Sequence, residues 1–260
     1  MLSAAQVSEY HEKGYVVPDY RLSDDLLQEI RDRHTALLKR YPEFRDNASA
    51  LLNHDLGFLN YARDPQILDM VEQLIGPDLC LWNMSFFAKP ALNGKRTPFH
   101  QDGQYWPIVP LATCTVWIAI DEATVENGCL QYIPGSHKDN RLKEHFVTDD
   151  PNVTLNQELE AREYDASRAE NLILPAGGMA FHDVYIAHGS EENRSPKPRR
   201  GMTLRIMPTT SVYDRDLAKA RHKERGGLDM SRHSLFLLRG RDLSGANDFR
   251  LRTLPDEVFA

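Results

Sequence analysis

Residues 97 to 107 read TPFHQDGQYWP, and within them His100 and Asp102 stand two positions apart. On an extended strand that spacing carries both side chains to one face, so an imidazole and a carboxylate can reach one point together. A metal site needs a third ligand. The segment FHDVYIAHGS offers two imidazoles, His182 and His188, with His188 at the C-terminal end of the strand it predicts, just before Gly189. Two imidazoles and one carboxylate form the facial triad of non-haem Fe(II) oxygenases, which leaves coordination positions open for other molecules. Ser190 follows His188 by two residues and Arg199 by eleven, in HGSEENRSPKPRRG. An arginine opening a strand beside such a pocket can grip a carboxylate through two parallel hydrogen bonds, and a serine hydroxyl can donate to the same group. Spacing leaves Arg200 open as the alternative partner. Without further context, both arginines read as a solvated basic turn after Pro196 and Pro198.

The elements that must position these residues follow from periodicity. The first third of the chain reads helical. Ser3 with Gln6 forms a capping box, and Gly14 can close that helix in the left-handed conformation. A second helix begins near Ser23-Asp24-Asp25 and carries Leu26, Leu27, Ile30, His34, Leu37 and Leu38 at helical spacing. Asp64-Pro65 opens a third, with Ile67, Leu68, Val71, Leu74 and Ile75 on one side and Gly76 at its end. These stripes predict a helical layer packed on a sheet. From residue 79 the period shortens. LCLWNMSFFAK, TCTVWIAID, CLQYIP, NLILP, MAFHDVYIAH and MTLRIMP are short and rich in β-branched and aromatic residues, with turns at Asn127-Gly128, Pro134-Gly135 and Gly177-Gly178. Such a series predicts a barrel or sandwich. Residues 137 to 170 interrupt it with a polar, charge-dense stretch, expected to act as a mobile lid over the open end of the barrel.

Composition narrows the function classes. A chain of 260 residues with 41% hydrophobic and 27% charged residues suits one globular domain over 1–260, with a helical layer about 1–78, a β-core about 79–210 and a C-terminal extension about 211–260. The net charge of -7 gives no basic footprint for nucleic acid. The N-terminus lacks a basic and then apolar leader, and no apolar run is long enough to span a bilayer. Cys80, Cys114 and Cys129 are an odd, widely spaced set inside apolar stretches, which predicts buried free thiols in a reducing compartment, the cytoplasm.

Three ordered segments, HQDGQYWP, VWIAIDEATVENGCLQYIPGSH and HGSEENRSPKPRRG, resemble the phytanoyl-CoA dioxygenase family of Fe(II)- and 2-oxoglutarate-dependent oxygenases. The resemblance runs from about residue 79 to 209, with weaker similarity through the N-terminal helices. It implies a mainly β fold with flanking helices around a double-stranded β-helix (jelly-roll, cupin-like) core. Carried over by position, it implies His100, Asp102 and His188 as metal ligands and catalytic residues. Arg199, Ser190, Trp117 and Asn83 would bind the cosubstrate, and Phe87, Tyr105 and Trp106 would face substrate, with packing roles open for Phe87 and Trp106. With that triad complete, His137 and His182 fit turn or supporting roles. Gln101 should face away from the site, and Lys89, before Pro90, should be solvent-exposed. The implied cofactors are Fe(II), 2-oxoglutarate and O2. The implied reaction hydroxylates a C–H bond of a small or medium-sized metabolite, with release of succinate and CO2. The presence of Asp102 disfavours the halogenases of the family, which lack that carboxylate. A cupin-like zinc or nickel isomerase, another non-oxygenase metalloenzyme, or a catalytically silent binding protein are the alternatives.

Overall fold

The computed structural model describes residues 1–225 and 228–252. It opens with α1 (Ala4–Lys13), β1 (Tyr15–Val16), α2 (Asp24–Arg40), β2 (Asn47–Ala48) and α3 (Pro65–Ile75). The barrel strands follow: β3 (Leu79–Lys89), β4 (Thr97–His100), β5 (Ile108–Val109), β6 (Cys114–Ala119) and β7 (Leu130–Tyr132). A hairpin of β8 (His145–Val147) and β9 (Gln157–Leu159) precedes β10 (Glu170–Leu172), β11 (Met179–Asp183), β12 (His188–Ser190) and β13 (Arg199–Pro208). Then come β14 (Val212–Tyr213), α4 (Arg215–Arg225) and β15 (Phe236–Arg239).

The helix ends form as their capping chemistry dictates. The Ser3–Gln6 capping box closes both ways, and Gly14 adopts φ 85°. Ser23 caps α2, and Asp64 accepts from the backbone of Gln66 and Ile67 ahead of Pro65. The buried stripe of α2 is Leu27, Ile30, His34 and Leu37.

Antiparallel strands make two facing sheets, the double-stranded β-helix. The larger runs β1-β11-β6-β13-β3-β15 with β2 beside β3, and the smaller runs β10-β7-β12-β4. Alternation along the larger sheet divides its residues between two environments. Val116 and Ile118 of β6, Met179 and Phe181 of β11, and Met202, Leu204 and Ile206 of β13 join the core under the helices. The intervening positions, Thr115, Trp117, His182, Arg199, Thr203 and Arg205, line a pocket inside the barrel. A register shift opposite Arg205/Ile206 marks a bulge in β3 at Trp82, after which Asn83 pairs with Arg205. The bulge re-aims the strand, so that Asn83 and Phe87 face the open end while Met84 and Phe86 stay under the helices.

Two strand boundaries differ from the sequence reading. MAFHDVYIAH is not one strand. The Asp183 carboxylate accepts from the Tyr185 amide at 2.8 Å, and the Asp183 carbonyl accepts from the Ile186 amide at 3.2 Å. That turn carries the chain from the larger sheet to the smaller, so His188 opens β12 instead of ending β11. Similarly, β4 ends at His100, and Asp102 begins a single 3-10 turn, Asp102–Gln104, instead of continuing the strand.

The stretch 137–170 is more built-in than its charge density suggests. Gln157 and Leu159 are buried, the Arg96 guanidinium pairs with both Glu158 oxygens at 3.0 and 3.1 Å, and Thr97 meets Thr154 at 2.8 Å. Gln101, between His100 and Asp102, turns its side chain to this stretch and to Tyr185. Its side-chain amide donates to the Arg141 and Tyr185 carbonyls at 3.1 and 2.6 Å and accepts from the Lys143 amide at 2.7 Å. Within the C-terminal extension, residues 226, 227 and 253–260 lie outside the described residues.

Candidate active site

The smaller sheet places His188 directly opposite His100 across β12 and β4, and cross-strand neighbours bring their side chains together. Their ring centroids are 4.2 Å apart. Each ring has Nδ1 against a carbonyl, Pro98 at 2.9 Å for His100 and Ile186 at 3.1 Å for His188. A carbonyl only accepts, so the ring proton belongs on Nδ1 and each Nε2 keeps its lone pair for a metal. Asp102 Oδ1 lies 3.7 Å from His100 Nε2. One ligand atom from each of His100, Asp102 and His188 falls within 4.8 Å of the others, and all three residues are buried.

His182 stands beside this trio and serves its carboxylate. Its Nε2 is 3.4 Å from Asp102 Oδ2, and its Nδ1 lies 2.8 Å from the Tyr132 hydroxyl. Tyr132 therefore donates to Nδ1, fixing the tautomer whose Nε2–H points at Asp102. Burial works to raise the Asp102 pKa, but the surrounding imidazoles of His100, His182 and His188 outweigh it and hold the carboxyl well below its usual range. Burial, reinforced by His100, pushes the His188 imidazole well below its usual value, toward the neutral form a metal needs.

Behind the trio lies a narrow pocket lined by Thr115, Trp117, Leu130, Ser190, Arg199 and Thr203. Arg199 is 1% exposed. Its Nε and Nη2 both donate to the Gly128 carbonyl, at 3.1 and 3.0 Å, and its Nη1 donates to the Phe87 carbonyl at 3.1 Å. The indole of Trp117 lies 5.5 Å from its guanidinium carbon. Burial pulls its pKa down to about 10, so it remains a cation at neutral pH. Among the described residues it pairs with no carboxylate. An unpaired buried cation is costly, which makes this pocket receptive to an anion. The Ser190 and Thr115 hydroxyls are buried there with no hydrogen-bond partner among the described residues.

Two glycines shape the pocket. Gly128, in the Asn127-Gly128 turn, has φ 76°, and a Cβ there would stand 2.4 Å from the Glu191 carbonyl. A Cβ on Gly201 would stand 2.3 Å from the Trp117 ring.

Toward solvent the trio opens into a second cavity of about 270 Å³. Asn83, Phe87, Tyr105 and Trp106 line it, with Leu155, Asn156 and Gln157 from the β8–β9 side and Ala218, Arg221 and His222 from α4. His100, Asp102, Phe87 and Arg205 belong to both cavities and form the seam between them.

Comparison with known proteins decides what this scaffold is. The family profile for phytanoyl-CoA dioxygenase (PhyH) matches residues 10–201, most of the chain. The chain belongs to the phytanoyl-CoA dioxygenase family. A "Probable phytanoyl-CoA dioxygenase" of Caenorhabditis elegans is 30% identical over 78% of this chain and 74% of its own length. A "Phytanoyl-CoA dioxygenase domain-containing protein 1 homolog" of the same worm is 32% identical over 63% of this chain, which spans 60% of that relative's length. Among solved structures, the non-heme monooxygenase ThoJ in its apo form shares the fold at TM-score 0.72 and 23% identity, over 96% of this chain and 88% of ThoJ. The epimerase SnoN, solved with Fe3+, alpha ketoglutarate and nogalamycin RO, shares it at TM-score 0.65 and 20% identity, over 96% of this chain and 94% of SnoN.

In this phytanoyl-CoA dioxygenase family member the residues singled out by sequence fall into distinct places. His100, Asp102 and His188 converge; Arg199, Ser190 and Trp117 line the inner pocket; Tyr105 and Trp106 line the outer cavity. Trp106 also packs, edge to face, on Trp82 at 4.7 Å. Asn83 lines the outer cavity and not the inner pocket expected for it. Arg200 is committed elsewhere, its Nε and Nη2 on the Asp121 carboxylate at 2.7 and 2.8 Å. His137 meets the His11 carbonyl at 3.0 Å, a structural tie to α1. Lys89 is buried, against the expectation of exposure: its side-chain nitrogen donates to the Lys95 carbonyl, and its strand pairs with that of Arg199. Sequence reasoning missed Gly128, Tyr132 and Arg205. The Asn-Gly turn marked the first. Nothing local distinguished the second. For the third, an arginine within MTLRIMP at the same strand parity as Arg199 was the available signal.

Proposed function

We propose that this chain is an Fe(II)- and 2-oxoglutarate-dependent dioxygenase that hydroxylates a C–H bond of a small or medium-sized metabolite, with release of succinate and CO2. The observation that carries the reading is Arg199, a buried guanidinium that among the described residues pairs with no carboxylate, in a pocket with two hydroxyls likewise unpartnered there, behind a two-histidine, one-carboxylate cluster. An isomerase using the same metal cluster has no need of such a cation. His100, Asp102 and His188 would hold the iron through Nε2, a carboxylate oxygen and Nε2. Bound there, iron supplies the coupling of 2-oxoglutarate decarboxylation to oxidation of a substrate C–H bond.

The protein's residues do the rest. The Gly128 and Phe87 carbonyls aim the Arg199 fork, which takes the far carboxylate of 2-oxoglutarate as a bidentate partner. Ser190 and Thr115 supply hydroxyl donors, and Trp117 stacks against the guanidinium. His182, set by Tyr132, orients Asp102. Phe87, Tyr105 and Trp106 exclude water from the outer cavity and bound the space for substrate. The three cysteines are buried free thiols, which fits a reducing compartment, and we place the protein in the cytoplasm. No helix among the described residues is long and apolar enough to cross a membrane.

The test is succinate release from 2-oxoglutarate under air with Fe(II), comparing wild type with Arg199→Ala. Turnover that requires 2-oxoglutarate and collapses in the variant supports the reading. Activity that needs no 2-oxoglutarate, or survives Arg199→Ala, contradicts it in favour of another metalloenzyme.

A further inference from the structure

We infer that the outer cavity takes a substrate bearing a carboxylate, and that Arg205 is the residue that receives it. The inference rests on the oxygenase reading, because it assigns 2-oxoglutarate to the inner pocket and leaves the outer one for substrate. Arg205 is 8% exposed and sits on the seam between the two cavities, beside His100 and Asp102. Its guanidinium is surrounded by rings: Trp106 at 5.0 Å, Phe87 at 5.6 Å and Trp82 at 5.8 Å. Among the described residues it makes one hydrogen bond, from Nη1 to the Ser85 hydroxyl at 3.2 Å, and its Nε has no acceptor. No carboxylate forms an ion pair with it among the described residues.

Three rings do not settle such a charge. Cation–π attraction is smaller than the cost of taking a guanidinium out of water, and each N–H without an acceptor adds to that cost. Arg199 carries the same imbalance with three hydrogen bonds; Arg205 has one. The cavity around it is lined by Asn83, Asn156, Gln157, Arg221 and His222. Among the described residues Asp102 is the one acid in that lining, and it belongs to the His100–Asp102–His188 cluster. The surroundings therefore favour an anion. The guanidinium favours a carboxylate, since its planar fork matches a planar bidentate partner. A phosphate site would add a nest of backbone amides or a helix N-terminus. Here α4 contributes Ala218, Arg221 and His222, from its interior, to the lining. An acid anchored at the seam would present its neighbouring carbons to the metal face while the aromatic walls cover its apolar part.

The experiment uses the Fe(II) protein under argon. 2-Oxoglutarate binding is followed first by its metal-dependent absorption band. At saturating 2-oxoglutarate, ligand-observed NMR then measures the affinity of matched pairs: hexanoate against hexanamide, and phenylacetate against phenylacetamide. Each acid should bind at least about tenfold more tightly than its amide, the scale of one charge-assisted hydrogen bond. Arg205→Gln should abolish that preference while leaving 2-oxoglutarate affinity within about twofold, and Arg205→Lys should restore part of it. Equal binding of acid and amide, or binding of neither, overturns the inference while the oxygenase reading stands. A variant that loses 2-oxoglutarate instead of the acids overturns it too, assigning Arg205 to the cosubstrate. Failure of wild type to bind 2-oxoglutarate removes the oxygenase reading and this inference together.

Discussion

At the scale of single residues, the cluster behaves as two kinds of group held by different means. His100 and His188 are aimed by backbone carbonyls, whereas Asp102 is aimed by another side chain, His182. His100→Ala, Asp102→Ala or His188→Ala should each abolish Fe(II)-dependent succinate release while circular dichroism and the unfolding midpoint change little, because the ligands face a cavity. Wild-type turnover in any of the three would remove that residue from the site. Loss of Tyr132's hydroxyl should be milder: Tyr132→Phe frees the His182 tautomer and should lower iron affinity by about tenfold or more, the usual weight of such supporting hydrogen bonds. Arg199→Lys should raise the KM for 2-oxoglutarate roughly ten- to a hundredfold, since a point-charge ammonium cannot reproduce a planar fork. Arg200→Lys, by contrast, should leave that KM unchanged and show its effect in stability, through Asp121. His100 and Asp102 were legible as a pair from their spacing, whereas the choice of His188 over His182 and of Arg199 over Arg200 came only with the family resemblance. Arg205 was not legible, because a lone arginine inside an apolar strand declares its environment only when the neighbouring strands are in place.

At the scale of elements, alternation does most of the positioning, and it was readable wherever strands were long. LCLWNMSFFAK gave β3 with its full length, Leu79–Lys89. The boundary at His188 was hidden because an Asp183-centred turn interrupts a strand-like run, and periodicity cannot see a side chain capping its own backbone. Close approach also controls element geometry. Gly201→Ala should displace the Trp117 ring, raise the 2-oxoglutarate KM and cost about 1–3 kcal/mol in stability, the usual penalty for overpacking; unchanged unfolding and KM would show that the ring yields freely. For residues 137–170, the ties of Gln101, Arg96 and Thr97 divide the segment. Hydrogen exchange should therefore be slow near Gln157–Leu159 and fast at 148–152, with 148–152 gaining protection when substrate joins iron and 2-oxoglutarate. Unchanged protection on substrate binding would sink the gating role.

At the scale of the whole molecule, helices, one large sheet and one small sheet enclose two cavities that meet at the metal cluster. The apolar sides of the larger sheet and the helical stripes make the core, and the polar sides were left to build the site. On the proposed role of Arg199, binding of 2-oxoglutarate to the folded protein alone stabilises the fold. Saturation with a divalent metal and 2-oxoglutarate at about a hundred times Kd should add about 2.7 kcal/mol and raise Tm by roughly 5–10 °C; metal alone should give less. The most direct measurement is an anaerobic titration of 2-oxoglutarate into the Fe(II)-loaded protein, followed by the visible absorption that chelation to iron produces. One equivalent of 2-oxoglutarate per iron should saturate the band in wild type, with much weaker binding in Arg199→Lys and no band in Asp102→Ala. A protein that takes up iron yet shows no 2-oxoglutarate-dependent band would contradict the account.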